Sequence, residues 1–191
     1  VRFDGDVAAW DVARVASAAY AFDGASAFDG DVARWDTSSL TSLDYIFNNA
    51  LSFNRPVGDW DVAGVTQFVH VFSGAVVFDA EVAGWDMSNA RQIDNIFNGA
   101  TAFNRPVGDW DVSGLGSMQW AFHGAEAFDQ PVGAWDVAKV TSMAGAFEGA
   151  LSFDQDISAW DKGELSHDWN GGSNTYYDLL KGAASFDQCV P

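Results

Sequence analysis

Apolar residues return along this chain in one fixed order. Trp10, Trp35, Trp60, Trp85, Trp110, Trp135 and Trp160 form an unbroken 25-residue step. Val or Ile stands three residues before each, from Val7 to Ile157, and Phe seven residues before, from Phe3 to Phe153. An Asp follows every one, from Asp11 to Asp161. Downstream, a second Phe recurs from Phe22 to Phe147, and three residues later an Ala recurs from Ala25 to Ala150. A step of this length, kept over seven copies, marks a tandem array whose units stack and bury a continuous core.

The pattern inside one unit predicts its elements. Between the second Phe and the Ala stands only Gly or Asn: Gly24, Asn49, Gly74, Gly99, Gly124 and Gly149. That restriction marks a left-handed backbone position, commonly the one just past a helix C-terminus. Upstream, Leu43, Ile46 and Phe47 in "TSLDYIFNN" keep the 3 and 4 spacing of one helical face, and Thr41, Thr66 and Thr141 stand where an N-cap belongs. A helix of about two turns is predicted, too short to stand alone in water and so dependent on its neighbours. "W-D-V" alternates inward and outward and predicts a very short strand. The preceding "R-P-V-G" is a poorer strand, because Pro56, Pro106 and Pro131 would each delete a ladder donor.

The fold class expected is therefore an α/β repeat solenoid, a leucine-rich-repeat-like stack of about seven 25-residue coils, each a short parallel strand plus a short helix. Strands stack at about 4.8 Å and helices at about 8–10 Å, so the stack should curve with the strands on its tighter face. One domain spans 1–191, with regular repeats over 1–160 and an irregular last repeat and cap over 161–191. There the "GxxSF" landmark returns at Gly182 to Phe186, eight residues late, and His167 to Leu180 is read as the cap. Residue 1 falls inside a repeat, which leaves room for a preceding part of the protein.

Composition narrows the partners. With 48% apolar and 15% aromatic residues the chain can fill a core. Its 27 acidic against 9 basic residues leave a formal charge of -18, which repels phosphate backbones and anionic headgroups, so neither nucleic acid nor a membrane surface is expected as partner. No apolar run approaches the roughly 20 residues of a membrane-spanning helix, no signal-peptide pattern opens the chain, and a soluble protein is expected. Cys189 is the one cysteine, which excludes an intrachain disulfide but leaves an intermolecular one open.

The consensus F-[ND]-x-x-[VI]-x-x-W-D-V-S-x-V-T-x-M-x-x-x-F-x-G-A-x-x-F resembles the repeat of the BspA-like leucine-rich-repeat surface proteins, in the branch first named from mycoplasma lipoproteins. "WDVAKVTSMAGAFEGALSFDQDISAWD", Trp135 to Asp161, matches it at nearly every defining position. The resemblance implies a secreted or cell-surface right-handed solenoid that binds other macromolecules, adhesive in some members, with no catalytic residues. The first repeat departs from the pattern: Ala16, Ala18 and Ala21 replace larger residues there, which suggests a thinner terminal coil.

Candidate sites follow from the columns. The Asp column after Trp could stack carboxylates around calcium, but recurrence in every repeat favours acceptors for backbone donors at a turn, and no metal or cofactor is expected. The column Asp4, Asp29, Asn54, Asp79, Asn104, Asp129 and Asp154 tolerates Asn, as an Asx-turn would. His70, His123 and His167 share no ligand spacing, and no nucleophile motif is present, so no enzyme is expected. The Thr column is broken by Arg91 and Gly116, a poor template for ice, which keeps ice binding a minor alternative.

More telling is a column that varies: Tyr20, Tyr45, His70, Asn95, Trp120 and Gly145 follow each Trp by ten residues, on the helix flank away from the core. Two readings fit, a contact surface of amphipathic rings or extra packing over neighbouring coils. Arg55 and Arg105, isolated positive charges in the twice-repeated "FNRPVGDWDV", join Tyr20, Tyr45, His70 and Trp120 as candidate partner-binding residues. The function expected is a non-enzymatic module at the cell surface or outside the cell, binding another protein or an extracellular polymer. The alternative is a structural or accessory subunit of a larger, even organellar, assembly.

Overall fold

The computed structural model describes residues 3–160 and 178–188. Most of the expected cap, together with Asp161, His167 and Cys189, lies outside the described residues. Successive 25-residue units lie on one another in register. Phe28, Phe53, Phe78, Phe103, Phe128 and Phe153 stack ring on ring at 5.8–6.1 Å, and Phe186 continues the column at 6.0 Å after the eight-residue insertion. The second Phe of each unit forms a parallel column at 5.4–5.7 Å. Within a unit the two rings nearly touch face to face, as Phe47 and Phe53 do at 3.8 Å. Stacked aromatic pairs add about 0.5–1.5 kcal/mol each beyond the area they bury.

The Trp column is held by a bond as well as by packing. The indole N–H of Trp35, Trp60, Trp85, Trp110, Trp135 and Trp160 donates to the carbonyl of Val7, Val32, Val57, Val82, Val107 and Val132 at 2.9–3.1 Å. The same Val57 carbonyl accepts the Trp60 amide at 3.1 Å, so each acceptor ties its own unit to the next. A buried indole needs such a partner, which explains why no Phe replaces Trp at this step.

The α/β architecture expected from the periodicity is overturned, and with it the leucine-rich-repeat-like solenoid of strand plus helix. Among the described residues there is no α-helix and no multi-residue strand, only isolated parallel bridges such as Gln67 to Gln92 and Ser117 to Ser142. "W-D-V" is no strand. A local turn closes at either end of it: the Trp60 N–H donates to the Val57 carbonyl at 3.1 Å, and the Val62 carbonyl accepts the Val65 N–H at 2.8 Å. Its in-out-in alternation nevertheless stands: Trp60 and Val62 are buried and Asp61 is exposed.

The segment expected to be helical carries the links between units instead. The amides of Tyr45, Phe47 and Asn49 donate to the next unit, to the carbonyls of Val69, Val71 and Ser73 at 2.7–3.0 Å. The alternate amides of Ile46, Asn48 and Ala50 turn back three residues, to Leu43, Tyr45 and Phe47 at 3.0–3.2 Å. Both Tyr45 (φ 58°) and Asn49 (φ 55°) are left-handed. A right-handed helix cannot pass through two such residues four apart, whereas turns with a positive φ at the third residue require them. The left-handed Gly or Asn position predicted from the sequence is real, and it ends a turn rather than a helix.

Loss of the helices removes the mismatch of strand and helix widths as a source of curvature. Equivalent rings stand 4.5–4.7 Å apart along Tyr20, Tyr45 and His70 and 6.1–6.5 Å apart along the Trp column.

Candidate interaction surface

The variable column occupies the first of the two left-handed positions in each unit. Tyr20, Tyr45, His70, Asn95 and Trp120 have φ between 50° and 61°, and Gly145 has 59°. Asn and Gly tolerate this conformation, while a bulky side chain is held there against its preference. The expected helix flank is thereby corrected to a row of turn residues at the hydrogen-bonded side of the stack. Left-handed φ throws these side chains outward and into line. Tyr20 and Tyr45 stack at 4.7 Å with planes 7° apart, and Tyr45 and His70 at 4.5 Å and 16°.

Exposure falls along this row and then returns. Tyr20 is 58% exposed, Tyr45 and His70 are half-buried, Asn95 is buried and Trp120 is 41% exposed. Trp120 lies over Gly145, where a Cβ would overlap the indole Cδ1 and Nε1. Both readings of the column therefore hold in part: the rings pack on one another and still present edges to solvent. Burial, helped by the charges of Tyr20, Asp44 and Asp23, raises the Tyr45 phenol above its ordinary value. Burial lowers the His70 imidazole, against an opposing pull from Asp94.

Arg55 and Arg105 stand at a different edge and already have partners. The Arg55 guanidinium pairs with Asp29 at 2.8 Å and donates through Nε to the Asp29 carbonyl at 2.8 Å. Arg105 repeats this with Asp79, at 2.7 Å and 2.6 Å, and adds Glu81 at 3.0 Å. At the equivalent position Gln155 and Gln188 reach back to Asp129 and Asp154. The Arg side chains thus belong to a row of clasps between units. Beside Arg105 a groove lined by Pro56, Asp59 and Glu81 opens to solvent.

The acidic columns serve the backbone. Oδ1 of Asp11, Asp36, Asp61, Asp86, Asp111 and Asp136 accepts the amide two residues on, at 3.0–3.2 Å. Ser hydroxyls at 2.6–2.7 Å join in at Asp36, Asp86 and Asp111, and these donors, the hydroxyl first, hold the three carboxyls below their usual range. The second column departs from the Asx-turn expected of it. Its side chains bridge units: Oδ1 of Asp29, Asn54, Asp79, Asn104, Asp129 and Asp154 accepts the amide of the equivalent residue in the next unit at 2.9–3.2 Å. Asn serves as well as Asp because only the acceptor oxygen is used.

Sequence reasoning passed over Asp44 and Asp94, which flank the ring row. Asp44 accepts the Val69 amide at 3.0 Å, and Asp94 accepts the Gln119 amide at 2.8 Å and the Ser117 hydroxyl at 2.6 Å. They sit in a column that also holds Ala19, Val69 and Ala144, so no recurring residue type signalled them. The Thr column is also engaged, since Thr41 and Thr141 hydroxyls donate to Ala16 and Gly116 carbonyls at 3.0 Å.

Among the described residues no helix is long and apolar enough to cross a membrane. No curated protein and no solved structure matches the chain. A family model matches it twice, over residues 1–107 and 68–189, overlapping as a tandem repeat allows. The chain belongs to the family described as Mycoplasma protein of unknown function, DUF285.

Proposed function

We propose that this protein is a non-enzymatic binding module, secreted or held at a cell surface, that offers a row of ring side chains to another protein or an extracellular polymer. The observation that carries this reading is the occupation of left-handed positions by Tyr20, Tyr45, His70 and Trp120. Asn95 and Gly145 show what the backbone prefers there. Rings kept in a disfavoured conformation and left partly exposed have a use other than folding. The likeness of the repeat to BspA-like surface proteins supports the same class. A rigid stack also presents its side chains at little ordering cost to a partner.

The test uses Tyr20→Asn, Tyr45→Asn and Trp120→Asn together, since Asn suits the left-handed conformation and leaves the turns intact. Wild-type and variant chains are compared by surface plasmon resonance against a panel of extracellular proteins and polysaccharides. Binding by the wild type that the variant loses, at an unchanged melting temperature, is expected. Equal binding by both would remove the row from the function.

A further inference from the structure

The side chain five residues before each Trp clasps its unit to the one before. Arg55 reaches Asp29, Arg105 reaches Asp79, Gln130 reaches Asn104 and Gln155 reaches Asp129. Ala80 holds the same position and is too short to reach Asn54, so the row of clasps is broken there. A groove of about 350 Å³ opens at the break, lined by Asn54, Pro56, Gly58, Asp59, Ala80 and Glu81, and by Arg105. Several polar groups in it lack partners. Asp6, Asp31 and Asp156 each accept the amide two residues on, at 2.8–3.0 Å. Pro56 takes that position in its unit and offers no acceptor, and among the described residues the Gly58 amide has no partner. Among the same residues Asp59 receives no donor, and Glu81 gives Arg105 one oxygen and keeps the other.

We propose that this groove binds an amino sugar of an extracellular polysaccharide, whose ammonium takes the place of the missing clasp. Every clasp in the row is an N–H donor, and those of Arg55 and Arg105, in the units on either side of Ala80, are cationic. An ammonium in the groove supplies such a donor to the Asn54 side-chain oxygen and a charge to Asp59 and the second oxygen of Glu81. Three carboxylates, Asp59, Asp79 and Glu81, face the single cation of Arg105 there, so the groove favours a basic sugar over an acidic one. A ring hydroxyl offers the Gly58 amide the oxygen that Asp31 gives to Ala33. Pro56 and Ala80 add apolar surface for the C–H face of the ring. The volume lies at the small end of ligand sites and suits one ring rather than a folded partner. This adds a second surface to the binding-module reading, on a different edge from the ring row, so either can fail alone.

The probe is the tetramer of glucosamine, with its fully N-acetylated twin, which keeps the ring hydroxyls and loses the charge. Isothermal titration calorimetry at about pH 6, where the sugar amines are charged, should show the amine form binding about tenfold more tightly than the twin. Ala80→Gln restores the clasp that Gln130 and Gln155 make, so the stack accommodates it, and should weaken binding about tenfold or more. Asp59→Asn should weaken it about threefold, the scale of an exposed charge pair. Asp109→Asn, the equivalent position two units on, and Tyr20→Asn with Tyr45→Asn should leave binding unchanged. Full binding by the Ala80→Gln variant would overturn the proposal, as would equal affinity for the two sugars or no binding of the amine form. Equal loss from Asp109→Asn would overturn it in favour of diffuse attraction to a chain of charge -18. Tetralysine binding as tightly as the amine sugar, and lost in Ala80→Gln, would replace the sugar with a basic peptide and overturn it too.

Discussion

Thr37 stands in a core column otherwise filled by Val12, Val62, Met87, Val112 and Val137. It is 2% exposed, and its hydroxyl has no hydrogen-bond partner. Leaving a buried hydroxyl unmade costs about 1–3 kcal/mol, and valine has nearly the same shape without that cost. Thr37→Val should stabilise the protein by about 1 kcal/mol, read as a higher urea midpoint at unchanged slope. At this scale much was legible. The fixed Trp announced a buried role, although the indole bond to the preceding unit needed coordinates. The Asp after Trp was read correctly as a turn acceptor, because every unit needs that acceptor once. The Asp or Asn column was misassigned only in its target: an acceptor's type is visible in a sequence, but whether its donor is two or 25 residues away is not.

At the scale of the element, two left-handed residues per unit decide everything the periodicity left ambiguous. Apolar spacings of 3 and 4 fit a helical face, and they fit equally a run of turns whose alternate amides leave for the next unit. The signal that separates them was present, since Asn95 and Gly145 interrupt the ring column four residues before Gly99 and Gly149. Two left-handed markers at that distance are incompatible with a continuous helix. Gly124→Ala isolates the effect: φ is 63°, and the added Cβ meets only Gly99 backbone atoms, at 3.8–3.9 Å. A loss of about 1–2 kcal/mol is expected from conformation alone, and Gly124→Asn should cost visibly less in the same denaturation assay.

Across the whole molecule, stability is shared between neighbouring units, so the same substitution should cost more inside the stack than at its end. Trp85 is 3% exposed, donates to Val57, and lies against Phe68, Phe72 and Trp110. Trp10 is 52% exposed and touches Phe22 and Trp35 on one side. Trp85→Ala should cost about 3–5 kcal/mol, Trp10→Ala about 1 kcal/mol, in proportion to the apolar area each buries; calorimetric melting of the two variants checks the order. The candidate surface is also a whole-molecule property. Its ring column could be picked out as variable, but its stacking, its left-handed backbone and the carboxylates beside it depend on units held together by backbone hydrogen bonds from each to the next.

The sequence by itself determined the repeat length, the inward and outward residue of each column and one left-handed position per unit, because these follow from side-chain polarity and from the restriction of one column to Gly and Asn. Only the tertiary structure decided where the backbone amides go. An amide that turns back three residues and one that reaches the next unit are satisfied equally well, and the choice between them turned the expected strand and helix into stacked turns.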